Sequence, residues 1–214
     1  MNDSSKKYGL ILGEGKDDVA VLKKITPEES LKKLNYEDYK GKDKLESFLE
    51  TTLNSPGYTS GRIKKILVIR DADENWKSAW QSASEAVQRV FKVKLSEPGK
   101  WQQIENGPLI TIWIAPGNKT EGTIETLYLK AAKNSDVQVF DCLEKYTECL
   151  KTKDSIELHE KERFAIWTIA AQGKGPVKGR KRLAFNDVIK RLPLNWNSDV
   201  FGEIKTLVVQ TAKL

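Results

Sequence analysis

Ile66 to Ile69 are four apolar residues in a row, set inside the segment Ile63 to Arg70 (IKKILVIR). A strand with one face in water alternates apolar and polar positions. A strand that is apolar at every position is covered on both faces, as in a mainly parallel sheet with helices above and below. Two further segments read as strands, Tyr8 to Leu12 (YGLIL) and Leu109 to Ala115 (LITIWIA). Apolar residues at helical spacing fill the intervals. Val19, Leu22 and Ile25 mark one helix, and Leu45, Phe48, Leu49 and Leu53 a second. Trp80, Ala83, Val87 and Val90 mark a third over Trp76 to Val93, and Thr123 to Ala132 opens a fourth. This order predicts an α/β fold: a Rossmann-like, mainly parallel sheet flanked by helices, with its three strands adjacent or nearly so.

From Asp136 onward the pattern turns helical, with Val139 to Leu150 and Glu160 to Ala171 as helices and a tail ending in Leu207, Val208 and Val209. The expectation is an α/β core over residues 1–135 and a mostly helical extension over 136–214 packed on it, one domain overall. A chain of 214 residues, 39% hydrophobic and 31% charged, suits a globular core. No apolar stretch is long enough to span a bilayer, and the N-terminal run lacks a cleavage-site pattern. No membrane association and a cytoplasmic location are the default expectations. Cys142 and Cys149 lie seven apart on a helix, about 10 Å from each other, too far for a disulfide. They are expected to be semi-buried thiols.

In parallel sheets of this kind, ligands sit beyond the carboxyl ends of the strands. Two acidic clusters fall there. Glu14-Gly15-Lys16-Asp17-Asp18 follows the first strand, and Asp71-Ala72-Asp73 follows the second. Two carboxylates two residues apart in an extended chain point the same way and suit a hard cation such as Mg²⁺. Each cluster also has a plain reading. The first can be a solvated turn in which Asp17 or Asp18 caps a helix, and the second a polar end to a buried strand. Like charges brought together are costly without a neutralising cation, which argues against two independent polar turns.

The pair LILGEGKDD and LVIRDADEN resembles the Toprim domain shared by topoisomerases, bacterial-type primases and several nucleases. Glu14 matches the glutamate of that family's Glu-Gly-x-x-Asp pattern, with Asp18 at its aspartate. Asp71 and Asp73 match its Asp-x-Asp. The resemblance covers residues 7 to 132. The loop PGNKTEGTIE, from Pro116 to Glu125, is similar to that of stand-alone Toprim-like proteins and the nuclease part of OLD-family proteins. There an acidic residue completes the metal site: Glu125 first, Glu121 second, with a helix-dipole role for Glu125 equally open. The resemblance implies catalysis on a phosphodiester by Glu14, Asp71 and Asp73. It also implies a metal, Mg²⁺ or Mn²⁺, held by Glu14, Asp18, Asp71, Asp73 and Glu125. The catalytic tyrosine domain of topoisomerases, the zinc elements of primases and the ATPase motif of OLD proteins have no counterpart here.

A net charge of +6 and a pI near 9.1 are compatible with a polyanionic partner. The basic glycine-containing stretch GKGPVKGRKR offers Lys174, Lys178, Arg180, Lys181 and Arg182 to phosphates, with Lys16 and Lys119 beside the acidic loops. The plain reading of that stretch is a solvated basic loop. His159, among charged neighbours, reads as a surface residue, and Trp76 as the aromatic placed for base stacking. The function expected is that of a metal-dependent Toprim-type nuclease acting on DNA or RNA. The alternatives are a non-catalytic nucleic-acid-binding or protein-partner module of the same fold, and action on a nucleotide or other small phosphorylated ligand.

Overall fold

The computed structural model describes residues 6–135, 137–154 and 194–214. The chain divides into two compact units, Met1–Thr123 with Gly202–Leu214, and Ile124–Phe201. In the first unit the elements run β1 (Tyr8–Gly13), α1 (Lys16–Ile25), α2 (Glu28–Leu31), β2 (Leu34–Asp38), a 3₁₀ turn (Lys42–Lys44), α3 (Leu45–Leu53) and α4 (Pro56–Thr59). They continue with β3 (Ile63–Asp71), α5 (Trp76–Phe91), β4 (Gln102–Gln103), β5 (Leu109–Ala115) and finally α8 (Gly202–Ala212). The sheet order is β2-β1-β3-β5-β4. All neighbours are parallel except the short β4, which runs against β5. The expected α/β architecture is what the chain adopts, and its three apolar strands lie side by side.

Alternation sorts the strand residues between two covered faces. Leu10, Leu12, Ile66, Val68, Ile110, Ile112 and Ile114 meet one layer, built from Leu45 and Leu49 of α3 and from Ala79, Ala83, Ala86, Val87 and Phe91 of α5. Gly9 takes the opposite parity, and there Thr211 of α8 comes close to the strand. Lys65 of β3 ties down the end of α8: its ammonium donates to the Gln210 carbonyl at 2.7 Å and lies 5.6 Å from the Trp101 ring centroid.

Two strands fall where the sequence pattern is silent. β2 lies in the charged stretch after α1; it is an edge strand, so only Leu34 of its five residues is buried. Edge strands need few apolar residues and carry charge that discourages pairing with other chains. β4 is two residues long and has no periodicity to read.

The second unit contains α6 (Ile124–Ser135), α7 (Val137–Asp154) and a 3₁₀ turn at Asp199–Phe201. Ile124, Leu127, Tyr128, Ala131 and Ala132 of α6 are buried, as are Phe140 and Leu143 of α7. The Trp196 and Phe201 rings stack at 5.7 Å. Cys142 and Cys149 are exposed free thiols rather than semi-buried ones, because Phe140 and Leu143 mark the buried side of α7 and the cysteines lie off it. The segments expected to be helical beyond residue 154, up to residue 193, lie outside the described residues. Among the described residues, no helix is long and apolar enough to cross a membrane.

Candidate functional site

Because β1, β3 and β5 run parallel and adjacent, the loops that follow them open on one sheet edge. Main-chain hydrogen bonds then stitch those loops together. The N–H of Tyr39 donates to the Gly13 carbonyl at 3.0 Å, and that of Gly41 to the Glu14 carbonyl at 2.9 Å. The loop after β2 therefore holds the loop that carries Glu14. On the other side, the N–H of Ala72 donates to the Ala115 carbonyl at 3.0 Å and that of Gly122 to the Asp73 carbonyl at 2.8 Å. Asp73 takes a left-handed conformation, φ 51°, which turns the chain sharply between β3 and α5. Asn75 then caps α5 by accepting the N–H of Ser78 at 3.0 Å. The acidic positions are fixed by backbone before any side chain is considered.

Arg70 stands at the centre of the side chains. It is 7% exposed, and its Nη1 donates to Oε2 of Glu14 at 2.5 Å. Its Nη2 lies 3.6 Å from Oδ2 of Asp73, which Lys42 Nζ also approaches to 3.6 Å. Glu14 and Asp73, one from each motif, thus converge on the two ends of one guanidinium. Asp18 turns back on its own helix: Oδ2 accepts the N–H of Gly15 at 2.7 Å, the N-terminal half of a capping arrangement. The Tyr39 hydroxyl is buried and donates to the Ile69 carbonyl at 2.7 Å. Burial holds its pKa well above the usual phenol value; Glu14, Asp71 and Asp18 push the same way, while Arg70 opposes them. Those carboxylates therefore share one electrostatic neighbourhood.

The remaining expected site residues distribute as follows. Asp71, the last residue of β3, is half-buried. Lys16 is exposed at the first position of α1, and Lys119 is exposed in the loop after β5. Glu125 lies in the first turn of α6, in the second unit. Glu121 lies in the first unit, next to the Gly122 that bonds Asp73. Trp76 is half-buried at the start of α5, with Lys77 Nζ 5.8 Å from its ring centroid. Lys174, Lys178, Arg180, Lys181, Arg182 and His159 lie outside the described residues. Sequence reasoning passed over Arg70, Tyr39 and Lys42. The signal for Arg70 was present, a single charge closing an otherwise apolar run. The lysines of Tyr39-Lys40-Gly41-Lys42-Asp43-Lys44 were equally visible but belonged to no recognised element.

The family described as "Protein of unknown function (DUF3226)" matches residues 8–210. The chain belongs to the DUF3226 family. Among solved structures, it is similar to the crystal structure of hypothetical protein PH0156 from Pyrococcus horikoshii OT3, with a TM-score of 0.53 and 18% identity. That match covers 96% of this chain and 93% of the other. At such identity the likeness concerns the fold alone. No curated protein matches the chain.

The donor chemistry of this DUF3226 site suits a hard divalent cation. Glu14, Asp18, Asp71 and Asp73 supply carboxylate oxygens, the ligands Mg²⁺ prefers. In the arrangement described, Glu14 and Asp73 are gathered around Arg70 instead. Among the described residues, no group of three His, Cys, Asp or Glu side chains is close enough to hold a metal ion.

Proposed function

We propose that this DUF3226 protein is a Toprim-type phosphodiester-processing enzyme, a nuclease acting on DNA or RNA with Mg²⁺ or Mn²⁺. The observation that carries the reading is the meeting of Glu14 and Asp73 at the carboxyl edge of two adjacent parallel strands. Independent polar turns have no reason to meet there on one buried guanidinium. Glu14, Asp71 and Asp73, which in the arrangement described are not gathered closely enough to do so, would have to draw together away from Arg70 to hold the metal. The metal would polarise a phosphoryl oxygen and neutralise the leaving group. The chain's own residues divide the remaining work. Glu14 would serve as general base toward the attacking water, or as a ligand to a second metal. Arg70 orients that carboxylate and balances its charge, and Lys42 balances Asp73. The Gly41 main-chain bond steadies the Glu14 loop, and the Gly122 bond steadies the Asp73 loop, while substrate binds.

The test is cleavage of plasmid and oligonucleotide in millimolar-order Mg²⁺ or Mn²⁺, comparing wild type with Asp71→Asn and Asp73→Asn. The expected loss in each variant is about 100-fold or more. Melting temperature gives a second readout, since a ligand that binds only the folded state stabilises it. Mg²⁺ should raise the wild-type value and have a smaller effect on Asp71→Asn. Equal cleavage by all three proteins would assign the activity to a contaminant and end the nuclease reading.

A further inference from the structure

A second feature lies beside the acidic edge. An open groove of about 310 Å³ is lined by Tyr39, Lys40, Lys44, Ser47, Phe48 and Thr51. The last four recur at helical spacing, so they form one face of the 3₁₀ turn and α3 that follow it. Lys40 is held in a left-handed conformation, φ 65°, and Gly41 at φ 102° completes a bend that L-residues adopt at a cost. That bend is anchored by the Gly41 N–H on the Glu14 carbonyl and the Tyr39 N–H on Gly13. Strain kept in place by neighbouring contacts is a common feature of ligand-holding loops.

We infer that this groove binds single-stranded nucleic acid, with phosphates on Lys40 and Lys44 and an unstacked base against Phe48. Three observations favour that occupant. Lys40 and Lys44 are exposed and make no ion pair among the described residues, so their charge is available to a ligand. Phe48, half-buried against the core, lines the same groove as both lysines, so its open side offers an aromatic surface beside two cations, the pairing that single strands use. The same loop supplies Lys42, 3.6 Å from Asp73, so a strand lying in the groove runs toward the acidic centre. A duplex keeps its bases stacked inside and cannot offer one to Phe48. An acidic peptide would use the lysines and leave the ring without a partner. The inference rests on the phosphodiester reading for its purpose, but binding can be measured apart from cleavage.

The experiment is fluorescence anisotropy of the full chain with labelled oligothymidylate, in EDTA, over a range of salt. The double variant Lys40→Glu/Lys44→Glu is compared with Lys32→Glu/Lys94→Glu, an equal charge change at exposed positions outside the groove. Circular dichroism of each variant confirms that it is folded. The groove variant should bind about tenfold or more weaker, and its salt slope should fall by about 1.4, the value for two contacts on a single strand. Phe48→Leu should weaken binding about fivefold or more with the slope unchanged, because stacking releases no counterion. Equal weakening in the control pair, tighter binding of duplex, equal binding of a labelled polyglutamate, or no binding by wild type would overturn the inference. Binding that meets these expectations in a protein that cleaves nothing with Mg²⁺ supports the groove and defeats the nuclease. Cleavage that survives in the groove variant with binding unchanged does the reverse.

Discussion

Arg70 carries a full charge at 7% exposure, and Glu14, its nearest partner, is 22% exposed. Removing one member of such a pair leaves the other charge in poor solvent. Breaking a buried pair in this way costs about 3–5 kcal/mol. Arg70→Gln should therefore lower stability by an amount in that range, read from chemical denaturation. It should also respond to Mg²⁺ with a larger rise in melting temperature than wild type, because no guanidinium then competes for Glu14 and Asp73. A variant that melts with wild type, or whose melting Mg²⁺ leaves alone, would show that Arg70 does not neutralise this site. At this scale the sequence was half legible. Glu14, Asp71 and Asp73 stand out because each follows an apolar run. Arg70 did not, because a charge at a strand end reads as the chain emerging into water. Its partner lies 56 positions away in sequence, and only the pairing of β1 with β3 brings the two together. The Asp18 cap was anticipated as one of two readings, and Gly15 supplies the N–H that engages it.

Elements were legible where both faces of a strand or one face of a helix is apolar. β3, β5 and α5 satisfy that condition; α5 ends at Phe91 rather than Val93 because Lys92 turns left-handed, φ 57°. β2 did not, since an edge strand with one buried residue leaves no pattern. The return of α8 to the sheet was also hidden, because a helical apolar pattern states that a face is buried without stating against what. The contact itself is specific. A Cβ on Gly9 would lie 2.7 Å from Thr211 Cγ2 and 2.9 Å from Leu34 Cδ2, too close for either side chain. Gly9→Ala should thus cost about 1–3 kcal/mol through overpacking at the β1–α8 contact. Gly202→Ala, where a Cβ meets nothing within 4 Å, is the matched control and should change stability by less than about 1 kcal/mol. Denaturation midpoints of the two variants decide the matter. Equal midpoints would mean that α8 does not lie on Gly9.

At the scale of the whole molecule, three buried or half-buried tyrosines set an alkaline limit. Burial pushes Tyr36 up to about 12, against a lowering by its hydrogen bond with Thr26. Burial also holds Tyr39 well above the ordinary value and moves Tyr58 in the same direction. Below about pH 10 the phenols are protonated in both folded and unfolded chains, so their contribution is fully present. Above it the unfolded chain sheds protons first, and stability falls by at most about 1.4 kcal/mol per pH unit for each such group. The fall continues through the folded values, near 12 for Tyr36 and likewise raised by burial for Tyr39. Lys65 works oppositely: burial, with help from Lys213, lowers its pKa, so its contribution rises with pH. That rise is complete by about 10.5, the unfolded lysine value, and cannot mask the decline beyond it. Guanidinium denaturation at about pH 8 and about pH 11 isolates Tyr39. At the lower pH, Tyr39→Phe should be less stable than wild type by about 1–2 kcal/mol, because the Ile69 carbonyl loses its donor. At the higher pH the gap should narrow or reverse, since phenylalanine has no proton for the unfolded chain to lose. A gap of constant size would mean that Tyr39 ionises as readily in the folded protein as in the unfolded chain, and that burial does not hold its hydroxyl protonated.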